Sequence, residues 1–340
     1  HKDGSATYLR EFLRQYMMAK RPARTDYPSW NYVQFVADSI AWETDPLYGW
    51  CNKNFKKDGS PYNVYSDGLK VFTTIDSRMQ RYAEEAVYQH VARYLQPAFD
   101  KENKPKPSSP FSDKLTPKQI RAILNRSITQ SERWRTMKAA GYTPGEINQA
   151  FRQKIEMTVF TYHGDIDTLM SPLDSIRYYK EFLRSGFMSM DPKTGAVKAY
   201  VGGLDYPHFM YDMVSLGRRQ VGSTIKPFLY SLAMENGFTP CDYAPNRQQT
   251  YIVAGKPWTP RNANHARYGQ MVPLKWGLAQ SNNWISAYLM SKLNPSQFVQ
   301  LLHDYGIHNP DIHASMSLCL GPCEVSVSEM VSAYTVFANH

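Results

Sequence analysis

Gly222-Ser223-Thr224-Ile225-Lys226-Pro227-Phe228 decides how this sequence is read. Ser223 and Lys226 stand three positions apart on what reads as the first turn of a helix. That spacing stacks two side chains on one face, with Cβ atoms about 5–6 Å apart. A hydroxyl at its free pKa is a poor nucleophile, so a neighbouring base must take its proton. A desolvated lysine can be that base, because burial disfavours the ammonium form. Backbone N–H groups at the helix start can stabilise an oxyanion, and Gly222 lets a substrate approach the backbone closely. Alone, Ser-x-x-Lys is a weak signal. Its bland reading is an N-cap serine followed by a surface lysine.

A second element agrees with the first. Ser281-Asn282-Asn283 has the Ser-x-Asn form and lies 58 residues downstream, between two helical patterns. The ordered pair matches a serine-acylation signature whose third element is a Lys-Thr-Gly strand. The wider stretch Arg218–Phe228 resembles the nucleophile segment of class A penicillin-binding proteins. So do Pro260-Arg261-Asn262, Tyr268-Gly269 and Leu278–Asn283. Gly68–Asp76 and Asp191–Gly203 are similar to strands that open that family's transpeptidase domain, and Gly4–Arg14 to the exit from its glycosyltransferase domain. The resemblance covers roughly residues 67–100 and 186–340 and leaves a helical insertion between them unmatched.

The resemblance implies an α/β (α+β) fold like that of penicillin-binding proteins and serine β-lactamases. An antiparallel sheet is flanked by helices, with a helical subdomain. It implies a linker over 1–66 and a transpeptidase domain over 67–340, with the insertion at about 101–185. Ser223 would attack the penultimate D-alanine carbonyl of a stem peptide ending in D-Ala-D-Ala, with Lys226 as general base. Ser281 would shuttle a proton toward the leaving group and Asn283 would hold the substrate amide, with Gly222 and Asn262 also binding substrate. An amine of a neighbouring stem then takes the acyl group, and β-lactams mimic the donor. No cofactor and no metal are implied. The parent would be anchored in the bacterial cell membrane and act on its periplasmic face. Rival readings are a D,D-carboxypeptidase, a β-lactamase, and a penicillin-sensing or inactive scaffold module.

One departure stands out. After Asn283 no Lys-Thr-Gly triplet occurs before His340, so the last strands and the substrate-carboxylate site are expected to be absent. Lys193-Thr194-Gly195 has the right letters but precedes the nucleophile, and follows Asp191-Pro192 as a hairpin turn would.

Composition sets wider bounds. The 340 residues are 42% hydrophobic and 14% aromatic, with a net charge of +9, as for a folded protein in anionic surroundings. No basic block is interleaved with stacking aromatics, so nucleic acid is not an expected partner. No apolar run approaches the roughly 20 residues that span a bilayer, and no signal peptide opens the chain. Cys319 and Cys323 lack zinc-site spacing; they read as free thiols, or as a disulfide in an oxidising compartment. His303, His308 and His313 lack the spacing of a helical metal pair, and Gly202-Gly203 lies outside any phosphate-binding pattern. Arg218 and Arg219 read equally as anion-steering groups or as structural ion pairs.

Along the chain, Tyr8–Met18 reads as a short helix and the alternating Leu69–Ile75 as a strand. Ser77 and Gln80 have capping-box spacing, followed by a helical face of Met79, Ala83, Ala86, Val87, Val91 and Tyr94 that Pro97 should end. Thr116-Pro117 and Thr143-Pro144 mark two helix starts. Phe187–Met190 and Ala196–Val201 read as a hairpin. From Thr224 the pattern is mostly helical, broken at Gly237, Gln280–Asn283, Asn294-Pro295 and Gly306.

Overall fold

The structure is a computed structural model that describes residues 4–29, 31–263 and 265–339. The chain divides into two compact units. One comprises His1–Arg81, Gly186–Gly203 and Tyr211–His340, and the other Tyr82–Ser185 and Leu204–Met210. Helices dominate, and the described strands form five two-stranded antiparallel sheets rather than one broad sheet.

The first unit is built around the helix Lys226–Glu235. Lys226, Phe228, Leu229, Tyr230, Leu232 and Ala233 are all buried, so nearly every face of this helix needs a partner. The helix Asn283–Met290 supplies Ile285, Ala287, Leu289 and Met290, and the helix Pro295–Asp304 supplies Phe298 and Leu302, all at or near zero exposure. Burying one such large side chain contributes about 1.5–3 kcal/mol, so this packing anchors the helix that begins at Lys226.

Residues 1–66, expected as a linker, carry several helices, and contacts place them in the first unit. The helix Thr7–Met17 matches the expected one to within a residue at each end. Tyr8 is buried against Gly202 and Gly203, where a Cβ would come within 2.6 and 2.3 Å of Tyr8 atoms. The glycine pair is therefore a bed for an aromatic ring.

Leu69–Ile75 does not form the expected strand. Phe72 is 92% exposed, and the ties seen here are Thr74 Oγ1 donating to the Val197 carbonyl at 2.7 Å and Asp76 N donating to that of Lys198 at 3.0 Å. β-Branched residues favour extended backbone, but a strand exists only where a neighbour completes its ladder. The capping box at Ser77 is also corrected. Asp76 Oδ1 caps the helix Ser77–His90 through the amides of Arg78 and Met79. Gln80 is fully buried, and its amide bonds both the N–H and the C=O of Tyr200. Of the expected helical face, Ala83 and Val91 are buried, whereas Met79, Ala86 and Tyr94 are exposed.

Pro97 does not end the helix. A π-helical turn, Val91–Leu95, precedes it, and α-helix resumes over Gln96–Asn103. A wider turn beside a residue that lacks an N–H lets the helix continue.

In the second unit, both predicted helix starts form, each as a capping box. Thr116 and Gln119 cap the helix Pro117–Gln130, and Thr143 and Glu146 cap the helix Pro144–Ala150. Ile128, Ile147 and Phe151 make the local core. The hairpin of Ile155–Val159 with Ile166–Met170 was not expected, nor was the helix Pro172–Lys180 capped by Ser171.

The expected hairpin of Phe187–Met190 with Val197–Val201 is present. Asp191 Oδ1 accepts from the amides of Lys193 and Thr194, and Gly195 has φ 71°. Lys193-Thr194-Gly195 is thus the turn of this hairpin. Past Thr224, two small ladders interrupt the helices: Tyr243–Pro245 with Met271–Pro273, and Tyr251–Val253 with Lys256–Trp258. All four cysteines are free, and no group of three potential metal ligands occurs among the described residues. No helix among them is long and apolar enough to cross a membrane.

Candidate active site

The strand Arg218–Gln220 delivers the chain to Ser223, paired antiparallel with Glu324–Ser326. Past the ladder, Val221 N donates to the Cys323 carbonyl and Gly222 N to that of Gly321, both at 3.0 Å. Gly222 has φ 55° and Gly321 φ 65°, and a Cβ on Gly321 would fall 2.2 Å from the Gly222 carbonyl oxygen. Two glycine backbones lie in contact here, and Gly321 has no room for a side chain. A Cβ on Gly222 would meet nothing within 4 Å, so the space before it is open.

Gly222–Ile225 forms a tight 3₁₀ turn, and the α-helix starts at Lys226. Ser223 is exposed on that turn. The turn is held from the far end of the chain as well, where the Tyr334 hydroxyl donates to the Thr224 carbonyl at 2.7 Å. Phe337 stacks on Phe228 with ring centroids 5.5 Å apart. Arg218 pairs with Glu329 at 3.0 Å, and Arg219 Nη1 donates to the Arg218 carbonyl. Arg218 is therefore part of a structural ion pair.

Lys226 is only 1% exposed. Its Nζ donates to the Ser281 carbonyl at 2.5 Å, to Asn283 Oδ1 at 2.6 Å and to Ser281 Oγ at 3.1 Å. Burial lowers its pKa from 10.5 to about 8. The buried Cys319 thiol is pushed up to about 12 by the same desolvation, which keeps it protonated and unreactive.

Ser281 has φ 48°, a left-handed conformation that costs a non-glycine residue about 1–3 kcal/mol. The surrounding asparagines hold it there. Asn282 Oδ1 caps the helix Asn283–Met290 through the amides of Trp284 and Ile285, while its Nδ2 donates to Asn246 Oδ1 at 2.8 Å. Asn246 is fully buried and donates to the carbonyls of Ala266 and Arg267, both at 2.8 Å. Asn262 Oδ1 accepts from Asn283 N at 2.8 Å, and Asn283 Nδ2 donates to the Arg261 carbonyl at 2.7 Å. Lys226, Ser281, Asn283 and Asn262 thus join in one hydrogen-bonded cluster, one turn beyond Ser223. Each end of the Asn283 amide has one partner, which leaves one Nδ2 hydrogen and one Oδ1 lone pair for a substrate amide.

Sequence reading missed Asn246, Gly321 and Tyr334. Their signals are long-range partners, which no local pattern carries. Asn246→Asp would turn an oxygen toward two carbonyl oxygens in a buried place. The expected cost is about 3 kcal/mol of folding stability, read as a lower midpoint in urea. An unchanged midpoint would show that the network is dispensable.

Two family models match consecutive stretches of the chain. "Penicillin-binding protein middle domain" spans residues 106–183 and "Penicillin binding protein transpeptidase domain" spans residues 185–340. The insertion that seemed unmatched is therefore a known domain. Penicillin-binding protein 1A of Neisseria flavescens is 27% identical over 307 residues, covering 84% of this chain and 38% of that protein. Penicillin-binding protein 1A of Neisseria gonorrhoeae is 34% identical over 160 residues, covering 46% and 20%. The chain spans less than two fifths of the length of these curated relatives. The crystal structure of penicillin-binding protein 1A from Haemophilus influenzae aligns with a TM-score of 0.53 at 19% identity, covering 93% of this chain and 47% of that one. This likeness supports the mixed fold of helices and antiparallel strands. With both domains matched end to end, and the Ser-x-x-Lys and Ser-x-Asn elements inside the second, the chain belongs to the penicillin-binding proteins.

Proposed function

We propose that the protein is a peptidoglycan D,D-transpeptidase working through an acyl-Ser223 intermediate. The observation that carries this is the placement of Lys226 Nζ, buried and bonded to both Ser281 and Asn283. As a neutral amine, Nζ donates two protons, to the Ser281 carbonyl and to Asn283 Oδ1, and keeps a lone pair to accept a third. Ser223 Oγ attacks the penultimate D-alanine carbonyl as its proton passes to Lys226. The proton then moves by way of Ser281 Oγ to the nitrogen of the departing D-alanine. An amine of a second stem attacks the ester, forms the cross-linking amide and returns the serine hydroxyl. Gly222 leaves room for the donor peptide beside the backbone, and Asn262 keeps Asn283 in place. β-Lactams would enter as donors whose ring opens onto Ser223. That the parent is membrane-anchored at the outer face of the cytoplasmic membrane, and also polymerises glycan strands, rests on family membership alone.

The test is to give the parent protein a fluorescent penicillin, digest it and map the adduct by mass spectrometry. A label on the Ser223 peptide is expected. With a pentapeptide stem donor and an amine acceptor, D-alanine release should accompany formation of the coupled product. A label elsewhere overturns the assignment of the nucleophile. D-Alanine release with no coupled product overturns the transferase reading in favour of a carboxypeptidase.

A further inference from the structure

The second unit contains a cleft of about 510 Å³, within the 300–1,000 Å³ typical of small-ligand sites. One wall is the π-helical turn Val91–Leu95, which brings the small Ala92 and the exposed Arg93 to the cleft. π-Turns are rare and often mark functional sites. The facing wall is aromatic, formed by Tyr162, Tyr178 and Phe182, with Tyr88 beside the π-turn.

These rings are fixed before any ligand arrives. The Tyr88 hydroxyl donates to the Tyr162 carbonyl, that of Tyr178 to the Phe160 carbonyl at 2.6 Å, and that of Tyr162 to Gln96 Oε1 at 3.2 Å. Gln96 is buried, and its Nε2 donates to the Glu181 carbonyl and to Asp100 Oδ1. The rings therefore offer carbon surface rather than free hydroxyls. The formal charges also balance: Arg93 and Lys104 are matched by Asp100 and Glu181, with Lys104 and Asp100 paired at 2.8 Å. A balanced rim selects against phosphates and polyanions. It still supplies donors and acceptors to a neutral ligand.

We propose that this cleft binds a short neutral oligosaccharide. Sugar rings lay C–H faces on the aromatic wall and offer hydroxyls to Arg93, Glu181 and the Lys104–Asp100 pair. The proposal does not depend on the chemistry of Ser223.

Calorimetric titration of the 340-residue chain with tetra-N-acetylchitotetraose and cellotetraose, beside tripolyphosphate, tests it. At least one neutral tetrasaccharide is expected to bind. Ala92→Trp, which narrows the cleft, and Tyr88→Ala, which removes a ring, should each weaken binding about tenfold. Hydroxyl-radical footprinting of the unaltered chain should show protection of Tyr88 and Tyr162, which keeps the test valid if a variant misfolds. Absence of binding by both sugars up to about 10 mM, protection confined to other residues, or tighter binding of tripolyphosphate than of either sugar would overturn the proposal.

Discussion

Ser223→Ala is expected to abolish covalent labelling of the parent protein by penicillin while leaving its fold intact. Removing a nucleophile eliminates the covalent intermediate, and losses for such residues in acyl-transfer enzymes reach about 10⁶ in kcat. The side chain is exposed on its turn, whereas the turn is held by backbone bonds from Val221 and Gly222 to Cys323 and Gly321. Exposed substitutions of this kind change stability by roughly 0.5 kcal/mol or less. The measurement is fluorescence of the labelled band alongside a melting curve. Full labelling with an unchanged melting point would move the nucleophile elsewhere.

Lys226→Arg should slow acylation by about 10²–10⁴, the usual contribution of a positioned general base. Charge is kept, but a guanidinium does not deprotonate in proteins, so no lone pair becomes available. The native enzyme should show a rising limb centred near pH 8, because the neutral amine grows in as pH passes the lowered pKa. The variant should lose that limb. Stability carries the same signature with a definite sign. Between about pH 8 and 10.5 the unfolded chain holds the Lys226 proton and the folded chain does not. Folding stability from this group therefore rises across that window, and the gain is lost as pH falls through 8. Stopped-flow acylation and urea titrations at several pH values read both effects. Near-native acylation by the arginine variant would place the base elsewhere.

Legibility in the sequence followed the range of the physics. Thr116-Pro117 and Thr143-Pro144 were readable because a capping box closes within four residues. The Asp191–Gly195 turn was readable because one aspartate and one glycine satisfy it. Ser223, Lys226, Ser281 and Asn283 were found as motifs, and the structure joins the last three through one ammonium group. Leu69–Ile75 misled because β propensity says nothing about whether a partner strand is present. Ser77 and Gln80 misled because Gln80 serves Tyr200, 120 residues away, better than it would serve its own helix start. Asn246 was invisible for the same reason: its value lies in Asn282, 36 positions later.

The clasp on the Ser223 turn also sets when that turn can form. Arg218 finds Glu329 111 residues onward, and Thr224 finds Tyr334 110 residues onward. Contacts of such long sequence separation close late, since the loop entropy comes before the reward. A chain emerging from the ribosome exposes Ser223 well before it has the segment that shapes the turn around it. On the proposed function, Ser223 is made before Glu329 and Tyr334, the residues that clasp its turn, so maturation of the site follows the order of synthesis.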